Sequence, residues 1–162
     1  MQSENPQMAL ADAKRIVFRF LKFRPRSEKE VADKLKEKGF DAEISAAALE
    51  FFRKGKFLDD QMFTRGWIAS RLKKPFGMTR IRRELKQKGI SDEIISQETP
   101  LALEEYDEIS AAAALARHRM EKYKGIDKLK AKRRVYEYLI RRGFDFGTVT
   151  RVVNQIARVQ IR

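Results

Sequence analysis

One pattern returns three times along this chain: an aliphatic residue, three others, Leu, three more, then Gly and a large apolar residue. It reads Val31/Leu35/Gly39/Phe40, Ile81/Leu85/Gly89/Ile90 and Val135/Leu139/Gly143/Phe144. Residues four apart share a helix face, and Gly just past the last turn suits the left-handed residue that ends a helix. Each copy therefore predicts helix, Gly turn, helix. The second helix can start at Asp41, Ser91 or Asp145, whose side chains can cap free backbone N–H groups, with apolar spacing resuming at Ile44/Ala47/Ala48/Phe51 and Val149/Val152/Val153/Ile156. The third copy has its first aliphatic residue one position late, so its register is the loosest.

A further amphipathic stripe precedes each pair: Ala13/Ile16/Val17/Phe20/Leu21, Phe63/Trp67/Ile68/Leu72 and Ile109/Ala112/Ala113/Ala116. Ser27 with Glu30 has capping-box spacing, and Asp59 as a cap puts Leu58 and Phe63 at the ends of a hydrophobic staple. The expected fold is all-α: three tandem three-helix modules, about nine helices, in an elongated and curved array. Module one is read as residues 9–54, module two as 59–97 and module three as 101–161, with 1–8 disordered and Gly55 and the Thr99-Pro100 pair as joints. Each module has too small a core to stand comfortably alone, so stacking should stabilise all three.

The repeat also works as an internal control on charge, because equivalent outward positions can be compared while the core requirement stays fixed. In module one these positions are Lys29, Glu30, Asp33, Lys36 and Glu37, a net charge of −1. In module two they are Thr79, Arg80, Arg83, Lys86 and Gln87, a net of +3, and in module three Arg133, Arg134, Glu137, Ile140 and Arg141, a net of +2. The scaffold tolerates mixed charge, so uniform basicity is an added property. Residues 71–90 carry eight bases and one acid, residues 117–142 eleven and three, and residues 91–110 seven acids and no base.

With a formal charge of +13, the chain suits a polyanionic partner. Solubility and ion pairing with the acidic block are the plainer use of the same charges. Candidate contacts are Arg71, Lys73, Lys74, Arg80, Arg82, Arg83 and Lys86 in module two, and Arg133, Arg134, Arg141 and Arg142 in module three. Forked guanidinium groups suit phosphates or carboxylates, and contacts to phosphate weaken steeply with salt.

Other chemistries find little support. With no Cys and one His, neither a disulfide nor a conventional zinc site can form. The carboxylates Glu104, Glu105, Asp107 and Glu108 answer a helix dipole more readily than they hold a metal. Trp67 reads as core before base-stacking platform, His118 lacks a paired acid nearby, and the helix after Val149 reads as core packing before membrane association. There is no phosphate-cradling Gly loop, GxSxG elbow or HExxH pair. No apolar stretch approaches the roughly 18 residues of a membrane span, and the start MQSENPQ does not resemble a signal segment. A cofactor-free, cytoplasmic, monomeric binding protein is expected, not an enzyme.

Leu58-Asp59-Asp60, Phe63, Trp67-Ile68, Arg71, Gly77 and RIRRELKQKGI at 80–90 resemble the central signature of the RecX regulatory proteins. SEKEVADKLKEKGF in module one and YLIRRGFDFGTV in module three resemble the flanking repeats of that family in order and spacing. The resemblance implies tandem three-helix repeats in a bacterial regulator. It implies binding to the RecA nucleoprotein filament, limiting filament extension, ATPase and strand exchange, and so modulating recombination, DNA repair and the SOS response. DNA phosphates would be a secondary contact. Thr64 and Gly66 depart from the pattern, and an interior helical Gly costs roughly 1 kcal/mol relative to Ala. The alternative is a direct, non-sequence-specific DNA-binding module, since helix, Gly turn and helix also resembles a helix-turn-helix.

Overall fold

The computed structural model describes residues 5–104 and 106–159, the last three by their backbone. Nine helices and no strand occur among the described residues: α1 Pro6–Phe23, α2 Glu28–Glu37, α3 Ala42–Lys54, α4 Asp60–Leu72, α5 Met78–Gln87, α6 Asp92–Leu103, α7 Glu108–Glu121, α8 Lys128–Arg142 and α9 Phe146–Val159. None is long and apolar enough to cross a membrane.

Local chemistry sets the boundaries. Ser27 forms a reciprocal capping box with Glu30. Asp41, Ser91 and Asp145 each accept a bond from a backbone N–H three residues on, and Asp59 accepts two, from Gln61 and Met62. Gly39, Gly89 and Gly143 have φ of +84°, +81° and +89°, the left-handed turns the repeat predicts.

Two boundaries differ from expectation. α1 begins at Pro6, inside the stretch read as disordered, because Asn5 accepts from the Gln7 N–H and Pro suits the first helical position; residues 1–4 lie outside the described residues. The Thr99-Pro100 pair is not a joint: α6 runs through it to Leu103. Pro100 removes one helical hydrogen bond, but Glu98 and Thr99 just before it are buried, so packing carries the backbone onward.

Helices α1, α2 and α3 pack mutually around Ala13, Val17, Val31, Leu35, Ala48, Phe52 and Leu58. Helices α7, α8 and α9 do the same around Ala112, Ala116, Val135, Leu139, Phe144, Val149, Val152 and Val153. The loosest register thus settles on Val149, with Thr148 at the position its counterparts fill with Ile. Ile109, placed in the α7 stripe, is instead exposed, and small alanines carry that contact.

Module two behaves differently. Phe63, Ile68, Met78, Ile81, Leu85, Ile90 and Ile95 are buried, yet the chain divides into one compact unit of Met1–Arg65 with Leu85–Ile95 and another of Gly66–Glu84 with Ser96–Arg162. Each of α4, α5 and α6 therefore contributes residues to both units. Thr64 is buried and its hydroxyl donates to the Asp60 carbonyl at 2.7 Å, while a Cβ at Gly66 would meet open space.

Candidate polyanion-binding surface

Each unit contains a joint in which the Gly turn of one module seats on the start of the second helix of the module before it. In the first unit, Ser27 Oγ donates to the Lys88 carbonyl at 2.7 Å, and Asp60 accepts from the Glu28 N–H at 2.9 Å. Gly89 lies so close that a Cβ there would be 2.5 Å from Lys29 Cβ. Glu30 gathers the charges: it accepts from Arg24 Nη2 at 2.6 Å, Ser27 N at 3.1 Å and Lys88 Nζ at 3.0 Å. Burial alone would raise the Glu30 carboxyl, but these donors outweigh it and hold the pKa at about 2.

The second unit repeats the backbone and changes the chemistry. The Gly77 N–H donates to the Arg142 carbonyl at 3.0 Å, the Thr79 N–H to the Gly143 carbonyl at 3.1 Å, and Glu108 accepts from the Met78 N–H at 2.8 Å. Glu108 thereby caps α5 as Asp60 caps α2, and burial pushes both carboxyls up despite that bond. The two turns touch through glycine: a Cβ on Gly77 would sit 2.2 Å from backbone atoms of Gly143 and Phe144.

At the positions of Glu30 and Lys88 this joint has Arg80 and Arg142. Both guanidinium groups lie over the Phe76 ring, at 4.1 and 4.6 Å from its centroid, and Arg71 covers Trp67 at 4.3 Å. Glu84 accepts from Arg71 Nε at 2.7 Å, Arg80 Nε at 2.9 Å and Trp67 Nε1 at 3.1 Å. Burial opposes ionisation of Glu84, and the two arginines more than offset it, lowering its pKa. Arg142 donates from Nε to the Tyr138 hydroxyl at 3.2 Å, and Arg119 lies over the same Tyr ring at 4.1 Å.

The geometry is that of held but unsaturated cations. In Arg71, Arg80 and Arg142 the hydrogen bond runs from Nε, leaving the terminal Nη pair without a partner among the described residues. That pair is the edge that forks onto phosphate or carboxylate. Aromatic contacts hold all three planes and Glu84 those of Arg71 and Arg80, an order that would lower the cost of binding an anion.

The other sequence-predicted residues spread around this core. Arg82 and Arg83 are exposed and make no ion pair or hydrogen bond among the described residues, although Arg82 acts electrostatically on Glu108. Lys73 and Lys74 are exposed at the end of α4. Arg134 is exposed, 5.6 Å from the Tyr123 centroid, whereas Arg133 pairs with Glu137 at 3.0 Å and Arg141 approaches it at 4.0 Å. Lys86 falls in the first unit and pairs with Asp92 at 2.7 Å. Arg80 is not the freely solvated residue that helical geometry predicts, because the Gly143 turn packs on its Cβ.

Sequence reasoning missed Phe76, Tyr138 and the counterion role of Glu84. Only the four-residue Arg80/Glu84 spacing signalled any of this. Of the acidic stretch, Asp107 caps α7 through Ser110 N and Glu108 caps α5, while Glu105 lies outside the described residues. No cluster of three potential metal ligands occurs among the described residues.

Comparison with known proteins places this architecture. Family profiles described as the first, second and third three-helix domains of RecX match residues 13–52, 59–97 and 105–153. The regulatory protein RecX of Prosthecochloris aestuarii is 34% identical over 138 residues, covering 85% of this chain and 88% of the relative. That of Clostridium beijerinckii is 32% identical over 162 residues, covering 99% and 73%. The crystal structure of RecX from Lactobacillus salivarius shares the fold, with a TM-score of 0.78 at 17% identity over 90% of this chain and 95% of that one. Matched along three consecutive domains and by relatives over most of its length, the chain belongs to the RecX family of regulatory proteins.

Proposed function

We propose that this protein is a cytoplasmic, monomeric regulator that binds the RecA nucleoprotein filament and restrains its extension, ATPase and strand exchange. The observation that carries this reading is the cluster of Arg71, Arg80 and Arg142, in which Arg71 and Arg80 share the carboxylate of Glu84, Arg142 bonds the Tyr138 hydroxyl, and all three hold their forked donors outside those bonds. A filament offers DNA phosphates together with protein carboxylates, and both fit such a surface. Direct groove reading by the helix-turn-helix of module two is disfavoured by charge. The third helix of module two, α6, which follows the Gly turn, carries Asp92, Glu93 and Glu98 and no base, so DNA phosphates would repel it.

The test reverses exposed charges and spares the Arg80/Glu84 pair, whose loss would confound folding with binding. Arg82→Glu, Arg83→Glu and Arg134→Glu together should abolish inhibition of the recombinase ATPase while the helical circular dichroism spectrum stays intact. Full inhibition by this triple variant, or equal affinity of the wild type for bare DNA and for filament, would overturn the reading.

A further inference from the structure

The first unit bears an aromatic cluster that its core does not require. Phe18 on α1, Phe51 on α3 and Phe57 just beyond α3 expose 44%, 40% and 57% of their surfaces, yet they converge. The Phe18 centroid lies 6.3 Å from Phe51, 5.5 Å from Phe57 and 4.8 Å from the buried Phe52. Backbone geometry holds Phe57 in place. The Lys56 N–H bonds to the Arg53 carbonyl and the Phe57 N–H to the Phe52 carbonyl, a Schellman ending with Lys56 at φ +57°, where Gly is the usual residue. The ring folds back so tightly that a Cβ on Gly55 would sit 2.8 Å from Phe57 Cδ2. A non-Gly residue in the left-handed region and a ring wedged on backbone thus serve a side chain that stays more than half exposed.

The rim of the cluster is cationic. Lys14 and Lys22 lie one helical turn to either side of Phe18, and Lys14 Nζ stands 3.8 Å from the Phe51 centroid. Across α1, Lys14, Arg15, Arg19 and Lys22 face a single acid, Asp12.

We propose that Phe18, Phe51 and Phe57 form a docking surface for a partner polypeptide segment that combines apolar anchors with carboxylates. Charge complementarity selects the acids, and the ring cluster takes the apolar side chains. The ring geometry disfavours nucleobases: the rings meet edge to face at interplanar angles of 69° to 88°, and Lys14 covers the Phe51 face. Base stacking needs an open, parallel face. A second copy of this chain is disfavoured as well, because a two-fold contact would set one lysine rim against another.

The test uses the full chain and two fluorescent synthetic peptides of equal length, one an amphipathic Leu/Glu helix and the other its Leu/Lys counterpart. Anisotropy should show binding of the Leu/Glu peptide alone, weakened about tenfold or more by Phe18→Ser with Phe57→Ser. Phe146→Ser, an exposed Phe of the second unit, should leave it unchanged. The rim variant Lys14→Glu with Lys22→Glu, which leaves every ring in place, should shift preference to the Leu/Lys peptide. Unchanged peptide binding in both the aromatic and the rim variants would overturn the proposal. So would loss of oligothymidylate binding in the aromatic variant with peptide binding intact, or a concentration-dependent dimer in light scattering that the aromatic variant abolishes.

Discussion

The two joints share a backbone design and differ in charge. In both, a left-handed Gly turn seats on a helix start, a side chain or N–H of the cap residue bonds the carbonyl before that Gly, and an acid from the next module's first helix caps the first N–H. In one joint, Glu30 joins Arg24 and Lys88 in a satisfied ion network. In the other, Arg80 and Arg142 crowd one Phe ring, and the one carboxylate there, Glu84, bonds Arg80 and not Arg142. Because the backbone joint forms with either arrangement, the crowded cations are not there to hold modules together. Two cations on one ring with a carboxylate partner for only one of them fit the proposed binding surface, where fold stability would be traded for function.

The largest expected effect tests the shared backbone. Gly77→Ala forces a Cβ onto the backbone of Gly143 and Phe144 and should cost about 3 kcal/mol or more. Gly89→Ala meets the Lys29 side chain and takes on left-handed strain, for about 2 kcal/mol. Urea denaturation of both variants checks the order, and a substitution at either joint that left stability unchanged would break the shared backbone design.

A smaller effect tests the satisfied network. Glu30→Gln should cost about 1–2 kcal/mol near neutral pH, by weakening charge-assisted bonds. Because the folded pKa of Glu30 is depressed, its stabilisation is fully present above the ordinary carboxylate range and is lost as pH falls through about 2. The gap between wild type and variant in urea midpoints should therefore close between neutral pH and about 2. The raised pKa of Asp60 acts with the opposite sign, but it is present in both proteins and cancels in the difference.

Much of the fold was legible because its signals are local. Gly39, Gly89 and Gly143 mark turns by backbone sterics, and Asp41, Ser91 and Asp145 mark starts by hydrogen bonding, each within a few residues. The Thr99-Pro100 error arose because burial of Glu98 and Thr99 depends on residues far along the chain. At the candidate surface, the internal charge comparison and the basic blocks single out candidate residues but not which of them have partners. That Glu84 ties Arg71 to Arg80, that Phe76 collects Arg80 and Arg142, and that Lys86 pairs with Asp92 are outcomes of tertiary packing. Helical spacing cannot show a partner that another module supplies.

The central claim is that the first joint serves stability and the second serves binding. Its most direct test measures, in parallel, the urea stability and the affinity for RecA filament on single-stranded DNA of Glu30→Gln and Arg142→Gln. A crossing is predicted: Glu30→Gln loses about 1–2 kcal/mol of stability and keeps its affinity. Arg142→Gln stays within about 0.5 kcal/mol of the wild type, because removing one of two crowded charges offsets the lost Tyr138 bond, yet binds several-fold more weakly with a shallower salt dependence. Arg142→Gln that loses stability as Glu30→Gln does and binds filament like the wild type would contradict the account.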